Sequence, residues 1–239
     1  MKYIYGPVKS RRLGLSLGIN LMPHKICNFD CIYCQLGKTK EKAGERKEYI
    51  NIQEAIDELN SWIKGNPDKA ASLKYIAICG SGEPTLHTKI GELIHAVRQT
   101  TPASVVVITN ASLVSLPELR KEITGADIII PSLDAVDTEI FQKIDRPGVD
   151  IRLTDIIDGL IKLRQEFQGK IWLEVMLVRG VNDSLPHIRR LKGIIEKIRP
   201  DKIQLNSPVR ATTEKGVFPP TAKKLEKIKQ LLGGKTEIL

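Results

Sequence analysis

Apolar residues fall into two alternating kinds of segment along the chain. Runs at 13–21, 73–79, 104–109, 126–133, 171–178 and 202–205 are rich in Ile, Val and Leu, and their lengths suit buried strands. Between them the apolar residues recur at helical spacing. Ile52, Ile56, Leu59 and Ile63 make one such stripe, and Ile90, Leu93, Ile94 and Val97 a second. Leu185, Ile188, Leu191, Ile194 and Ile195 make another, and helices are also predicted over 116–123, 137–144, 151–167 and 221–232. Asn51 stands where an N-cap is expected, with Glu54 three residues on. The pattern amounts to six β/α units in series, which demand parallel strands joined by helical crossovers. A closed barrel needs eight units in about 250 residues. Six predict an α/β fold with an open parallel sheet, a partial (β/α)6 TIM-like barrel. A doubly wound open sheet is the alternative, because periodicity does not report curvature. No Pro/Gly/Ser-rich linker divides the chain, so residues 1–239 are expected to form a single domain. The charged stretch 38–48 is expected to be a solvent-exposed connector, with a lid or substrate-contact role as the alternative.

Composition narrows this little. Hydrophobic residues at 41% and charged ones at 27% are ordinary for a globular chain. No apolar stretch is long enough to span a membrane, so no membrane partner is expected. Four cysteines without a secretory leader suggest a reducing, cytoplasmic setting. The net charge of +9 suits a polyanionic partner such as RNA, and equally a solvated lysine-rich surface.

The cysteines carry more information. Cys27, Cys31 and Cys34 crowd into one short loop. Three thiolates at that spacing can hold three irons of a [4Fe–4S] cube, leaving the fourth iron for a small molecule. Electron-transfer clusters and structural zinc sites normally take four protein ligands. A zinc knuckle completed by His24 is the competing reading. Cys79 lies in an apolar run and reads as a buried strand-end thiol.

Parallel β/α folds bind ligands at the carboxyl ends of their strands. Those ends carry the cysteine loop, Gly80-Ser81-Gly82-Glu83-Pro84, Asn110 to Ser112, Ser132 and Asp134, Glu174, and finally Gln204, Asn206 and Arg210. Two glycines in the 80–84 turn allow close approach of backbone to a ligand, and Glu83 could orient the turn. Arg11 and Arg12 are expected in surface salt bridges, the alternative being that one reaches a substrate carboxylate or phosphate. His24, His87, His95 and His187 are scattered and suggest no catalytic set.

The Cys-x3-Cys-x2-Cys loop with Tyr33 before its last cysteine, together with the Gly80–Pro84 turn, resembles the radical S-adenosylmethionine superfamily. Ser81 departs from that family's Gly-Gly-Glu-Pro turn by one small residue for another. The resemblance implies that Cys27, Cys31 and Cys34 ligate a [4Fe–4S] cluster whose unique iron is chelated by S-adenosylmethionine. It implies cofactor contacts from Ser81, Gly82, Glu83 and Pro84, adenine beside Tyr33, and ribose or carboxylate contacts from Asn110 and Ser132. It further implies an external one-electron reductant, reductive cleavage to a 5′-deoxyadenosyl radical, and hydrogen abstraction from an RNA, protein or small-molecule substrate. The segments at 6–14, 131–135, 146–147 and 180–183 resemble compact iron–sulfur oxidoreductases related to the tRNA wybutosine-synthesis enzymes. Those enzymes carry further cysteines upstream, and this chain has none before Cys27. A glycyl-radical activating enzyme is the alternative within the superfamily. A zinc-binding or electron-transfer protein is the alternative outside it.

Overall fold

The computed structural model describes residues 1–239. One eight-stranded sheet runs in chain order, with β1 (Ile4–Ser10), β2 (Gly14–Ile19), β3 (Tyr75–Ile78), β4 (Ser104–Thr109), β5 (Ile128–Pro131), β6 (Lys170–Met176), β7 (Lys202–Asn206) and β8 (Thr236–Ile238). β1 pairs antiparallel with β2, and every later pair is parallel. The six predicted strands are β2 to β7. The order is strictly sequential and contains no reversal, so the doubly wound alternative falls, since that topology has a switch point. The edge strands do not meet, and the partial barrel is open.

Eight helices cover the outer face: α1 (Ile52–Gly65), α2 (Pro67–Ser72), α3 (Ile90–Thr100), α4 (Pro117–Ile123), α5 (Thr138–Ile144), α6 (Leu153–Glu166), α7 (Leu185–Ile198) and α8 (Ala222–Leu232). Asn51 does cap α1, its side chain accepting from Gln53 N at 2.9 Å and Glu54 N at 3.4 Å.

Alternation along the strands separates two apolar layers. Ile76, Ile78, Val105 and Val107 join the large core beneath the helices, with Leu93, Leu119 and Leu160. Their neighbours Ala77 and Val106 face the other way, into a smaller cluster with Leu13, Ile128, Ile130 and Trp172. That inner cluster fills part of the barrel and leaves the carboxyl ends of the strands polar. No helix of the chain is long and apolar enough to cross a membrane.

Candidate active site

The connection from β2 to α1 contains neither helix nor strand along its whole length, residues 20–51. Structureless connections of that length are uncommon in compact folds unless they serve a function. The cysteine loop lies within it and is tied to its surroundings on every side. Ile26 N donates to Ser81 O, and Glu83 N returns a bond to Ile26 O, each at 3.0 Å. Asn28 Nδ2 donates to Ser112 Oγ at 2.7 Å, and Asn110 Nδ2 donates to Asn28 Oδ1 at 2.9 Å. Ile32 N donates to Ile144 O at 2.9 Å, and Thr213 Oγ1 to Cys34 O at 2.9 Å. The expected solvent-exposed connector, 38–48, is mostly exposed but anchored. Thr39 is buried, Ala43 N donates to Cys27 O at 3.0 Å, and Arg46 Nε donates to Thr85 O at 2.8 Å.

Cys27, Cys31 and Cys34 all line one cavity of about 570 Å³, within the size range of small-ligand sites. Gly80, Ser81, Gly82, Glu83, Tyr33, Asn110 and Ser132 share its wall. Pro84 does not; it is buried at the start of a short 3₁₀ turn, Pro84–Leu86. Burial pushes the Cys27 thiol up to about 12, with the Glu83 charge adding to it. Cys31 is pushed well above the ordinary thiol value by burial, then by Asp145 and by Cys27. The thiols therefore stand within electrostatic reach of one another. A bound metal reverses this penalty, because coordination deprotonates a thiol outright.

No three His, Cys, Asp or Glu side chains are grouped so as to hold a single metal ion. A cube offers each thiolate its own iron and does not require convergence on one point. His24, the fourth ligand of the zinc reading, lines the neighbouring depression and not the wall shared by the three cysteines. The donor set thus fits a cluster better than a zinc knuckle.

The turn beside the loop is built by close approach. Gly80 and Gly82 have φ of +141° and +145°. A Cβ on Gly82 would stand 1.7 Å from Ile26 O, and one on Gly80 would stand 2.5 Å from Asn20 Oδ1. Asn20 clamps the turn further, accepting from Ser81 N at 2.9 Å and donating to Ser81 Oγ at 3.1 Å. No backbone N–H donates to Gly80 O or Gly82 O. Glu83, only 2% exposed, accepts from Thr85 N at 3.0 Å and from Thr85 Oγ1, Thr109 Oγ1 and Asn110 N at 2.6 Å each. Its carboxylate is consumed within the protein, so it fixes the turn and the end of β4 rather than facing a ligand. Burial still holds its pKa above the usual carboxylate range, against those four bonds.

Tyr33 lies beside Cys31, its hydroxyl bonded to Asp134 and, at 3.4 Å, to Asp145. Cys31 Sγ also lies 3.5 Å from Asp145 Oδ1. Burial raises Asp134 to about 7 and Asp145 well above its ordinary value, the latter also through the charge of Asp134. The hydroxyl is thereby held between two buried acids.

Two expectations are corrected. Cys79 does stand at a strand end, just past Ile78, but it is half-buried and lines the cavity wall, its Sγ 2.8 Å from Tyr5 Oη. Arg12 is not in a surface salt bridge. It lines the cavity and pairs through two nitrogens with Glu174, which is only 5% exposed. Asn20 was not singled out by the sequence, although it follows the end of β2 just as Asn110 follows β4 and obeys the same strand-end rule.

The family model of the Radical SAM superfamily matches residues 21–191. A UPF0026 protein of Methanocaldococcus jannaschii is 33% identical over 240 residues, covering all of this chain and 73% of its own length. A Brachyspira hyodysenteriae protein named GTPase Obg is 39% identical over 229 residues, 96% of this chain. The match takes up only 33% of that relative's length. Among solved structures, TYW1 with a lysine-pyruvate adduct bound superposes with a TM-score of 0.67 at 20% identity, covering 91% of this chain and 72% of that one.

Proposed function

The chain belongs to the radical SAM superfamily, and we propose that it is an enzyme in which Cys27, Cys31 and Cys34 hold a [4Fe–4S] cluster beside an S-adenosylmethionine site. The observation that carries this reading is the sharing of one cavity wall by the three thiols and the Gly80–Glu83 turn. When bound, the cluster would supply the electron that splits the sulfonium of S-adenosylmethionine into methionine and a 5′-deoxyadenosyl radical.

The protein's part is to bind, orient and exclude water. The free carbonyls of Gly80 and Gly82 would receive the amino group of the methionine moiety, and the missing Cβ atoms let Ile26 and Asn20 pack against the turn and hold it in place. Tyr33, fixed by its two acids, would flank the adenine, and Asn110 and Ser132 would contact ribose or carboxylate oxygens. Anaerobic reconstitution is expected to load about four irons per chain. Changing any one of the three cysteines to Ala should cut iron content and visible charge-transfer absorbance to near background. Iron retained by all three single variants would refute the assignment.

A basic surface beside the site favours RNA as the substrate. Lys25, Lys38, Lys40, Lys42 and Lys47 line a depression of about 910 Å³ next to the cysteine loop, against only Glu41 and Glu45. Leu36 lines both this depression and the cysteine cavity, so the two are contiguous. Lysines that neutralise phosphates release counterions and make binding salt-dependent. A variant carrying Lys38→Ala and Lys40→Ala should bind single-stranded RNA more weakly. Its log–log salt slope should fall by about 0.7 for each phosphate that is no longer neutralised. A slope equal to that of the unaltered protein would remove RNA from this surface.

A further inference from the structure

Three arginines at the cavity have no part in holding the cluster or S-adenosylmethionine. The β1–β2 turn brings in Arg11 and Arg12, and the loop after β7 brings in Arg210. Arg12 Nη2 donates to Glu174 Oε1 at 2.7 Å, and Arg12 Nε donates to Glu174 Oε2. Asn206 Nδ2 adds a bond of 3.2 Å to the same carboxylate. Arg11 Nη2 donates to Asn206 Oδ1 at 2.9 Å, and Arg11 Nη1 to Leu239 O at 3.5 Å. Arg210 Nη1 donates to Gln35 Oε1 at 3.0 Å. Arg12, Arg210 and Glu174 line the cysteine cavity itself, and Arg11 stands within electrostatic reach of all three.

Arg12 alone pairs with the Glu174 carboxylate, and Arg11 and Arg210 bond to no acidic side chain. Arg46, Arg120 and Arg164 by contrast each have a partner of their own in Glu122, Glu166 and Asp201, and Arg146 has Glu214. Arginine does not shed its proton to relieve the crowding. Burial and then the like charges of Arg12 and Arg210 disfavour the Arg11 cation, so an anion placed among the three would relieve the repulsion. Glu83 lines the same cavity, but its carboxylate is taken up by four donors, so the three guanidiniums face an excess of at least one positive charge. A phosphate monoester, with about 1.5 to 2 negative charges at pH 7, neutralises it and still offers oxygens to more than one guanidinium. Planar guanidinium forks also match phosphate oxygens in pairs.

We infer that Arg12, Arg210 and Arg11 form a recognition site for a phosphate group of the substrate, in the same cavity as the cysteine loop. This deepens the radical reading and rests on it. The phosphate could belong to the end of an RNA strand or to a small phosphate ester.

The test titrates inorganic pyrophosphate into the reconstituted protein in the presence of S-adenosylmethionine, read by calorimetry. Arg210 is exposed and bonded only to Gln35, so Arg210→Gln should fold normally. It is expected to weaken binding about tenfold, the share of one charge-assisted bond. A variant with both Arg12→Gln and Glu174→Gln removes the buried pair without stranding a charge, and it should weaken binding by at least as much. Competition by a 5′-phosphorylated oligoribonucleotide, lost in the 5′-hydroxyl form, would identify the strand end as the source. Pyrophosphate binding without such competition would identify a small phosphate ester. Absence of saturable binding, or equal affinity in the unaltered protein and both variants, would overturn the site. Arginine-dependent binding in a protein that forms no 5′-deoxyadenosine would refute the radical reading and leave the phosphate site standing.

Discussion

Gly82→Ala is expected to abolish S-adenosylmethionine cleavage and to destabilise the protein by about 4 kcal/mol. The added Cβ would overlap Ile26 O at 1.7 Å and lie 2.6 Å from Ile26 C. Both are backbone atoms, so no rotamer change relieves the clash. The φ of +145° is itself strained for any residue with a side chain. Relief requires the turn to part from residue 26, which breaks the Ile26 N–Ser81 O and Glu83 N–Ile26 O bonds and displaces the segment that carries Cys27. Gly193→Ala serves as the control. Gly193 lies within α7 and has nothing within 4 Å of its added Cβ, so the change should be neutral or stabilise by up to about 1 kcal/mol. Urea midpoints of the two variants check the pair. Equal midpoints would mean that the close approach at residue 82 is not a constraint.

Glu83→Ala is expected to destabilise by about 4 kcal/mol and to reduce iron loading. Four donors converge on that carboxylate, and all four lose their acceptor at once. An unsatisfied buried donor costs about 1–3 kcal/mol, although rotating hydroxyls recover part of this. The loss reaches the cysteines through a short path. Glu83 holds Asn110 N, and the Asn110 side chain in turn holds Asn28 and lies 3.6 Å from Cys27 Sγ. Glu83→Gln separates the contributions. Its carbonyl can keep the threonine donors, while its amide would face Asn110 N donor to donor. That variant should lose only about half as much stability as the Ala variant. If Gln and Ala behaved alike, the threonine bonds would contribute nothing.

Much of this arrangement is legible in the sequence because periodicity and strand ends are local properties. The six parallel strands follow from short runs of Ile, Val and Leu, and the strand-end rule found Asn110, Ser132, Glu174 and Arg210. β1 escaped because Gly6, Pro7 and Lys9 break its apolar pattern, as befits an edge strand paired on one side only. β8 has three residues, too few to show any period. The sequence suggests that Glu83 orients its turn, but Thr109 and Asn110, which bind it, are identifiable as its partners only once β3 and β4 lie side by side. The Arg12–Glu174 pair joins residues 162 positions apart, and nothing local marks either as the other's partner. Cys79 looked buried because its run is apolar. The strand ends at Ile78, and the thiol emerges just beyond it, at the cavity.

Three cysteines and a glycine turn on one cavity wall are expected to generate a radical from S-adenosylmethionine. Anaerobic reconstitution, addition of S-adenosylmethionine and a strong one-electron reductant, and quantification of 5′-deoxyadenosine put this to the test. Production that depends on the reductant and disappears in Cys31→Ala is the expected result. Production that persists in Cys31→Ala, or none from protein shown to hold its cluster and to bind S-adenosylmethionine, would contradict it.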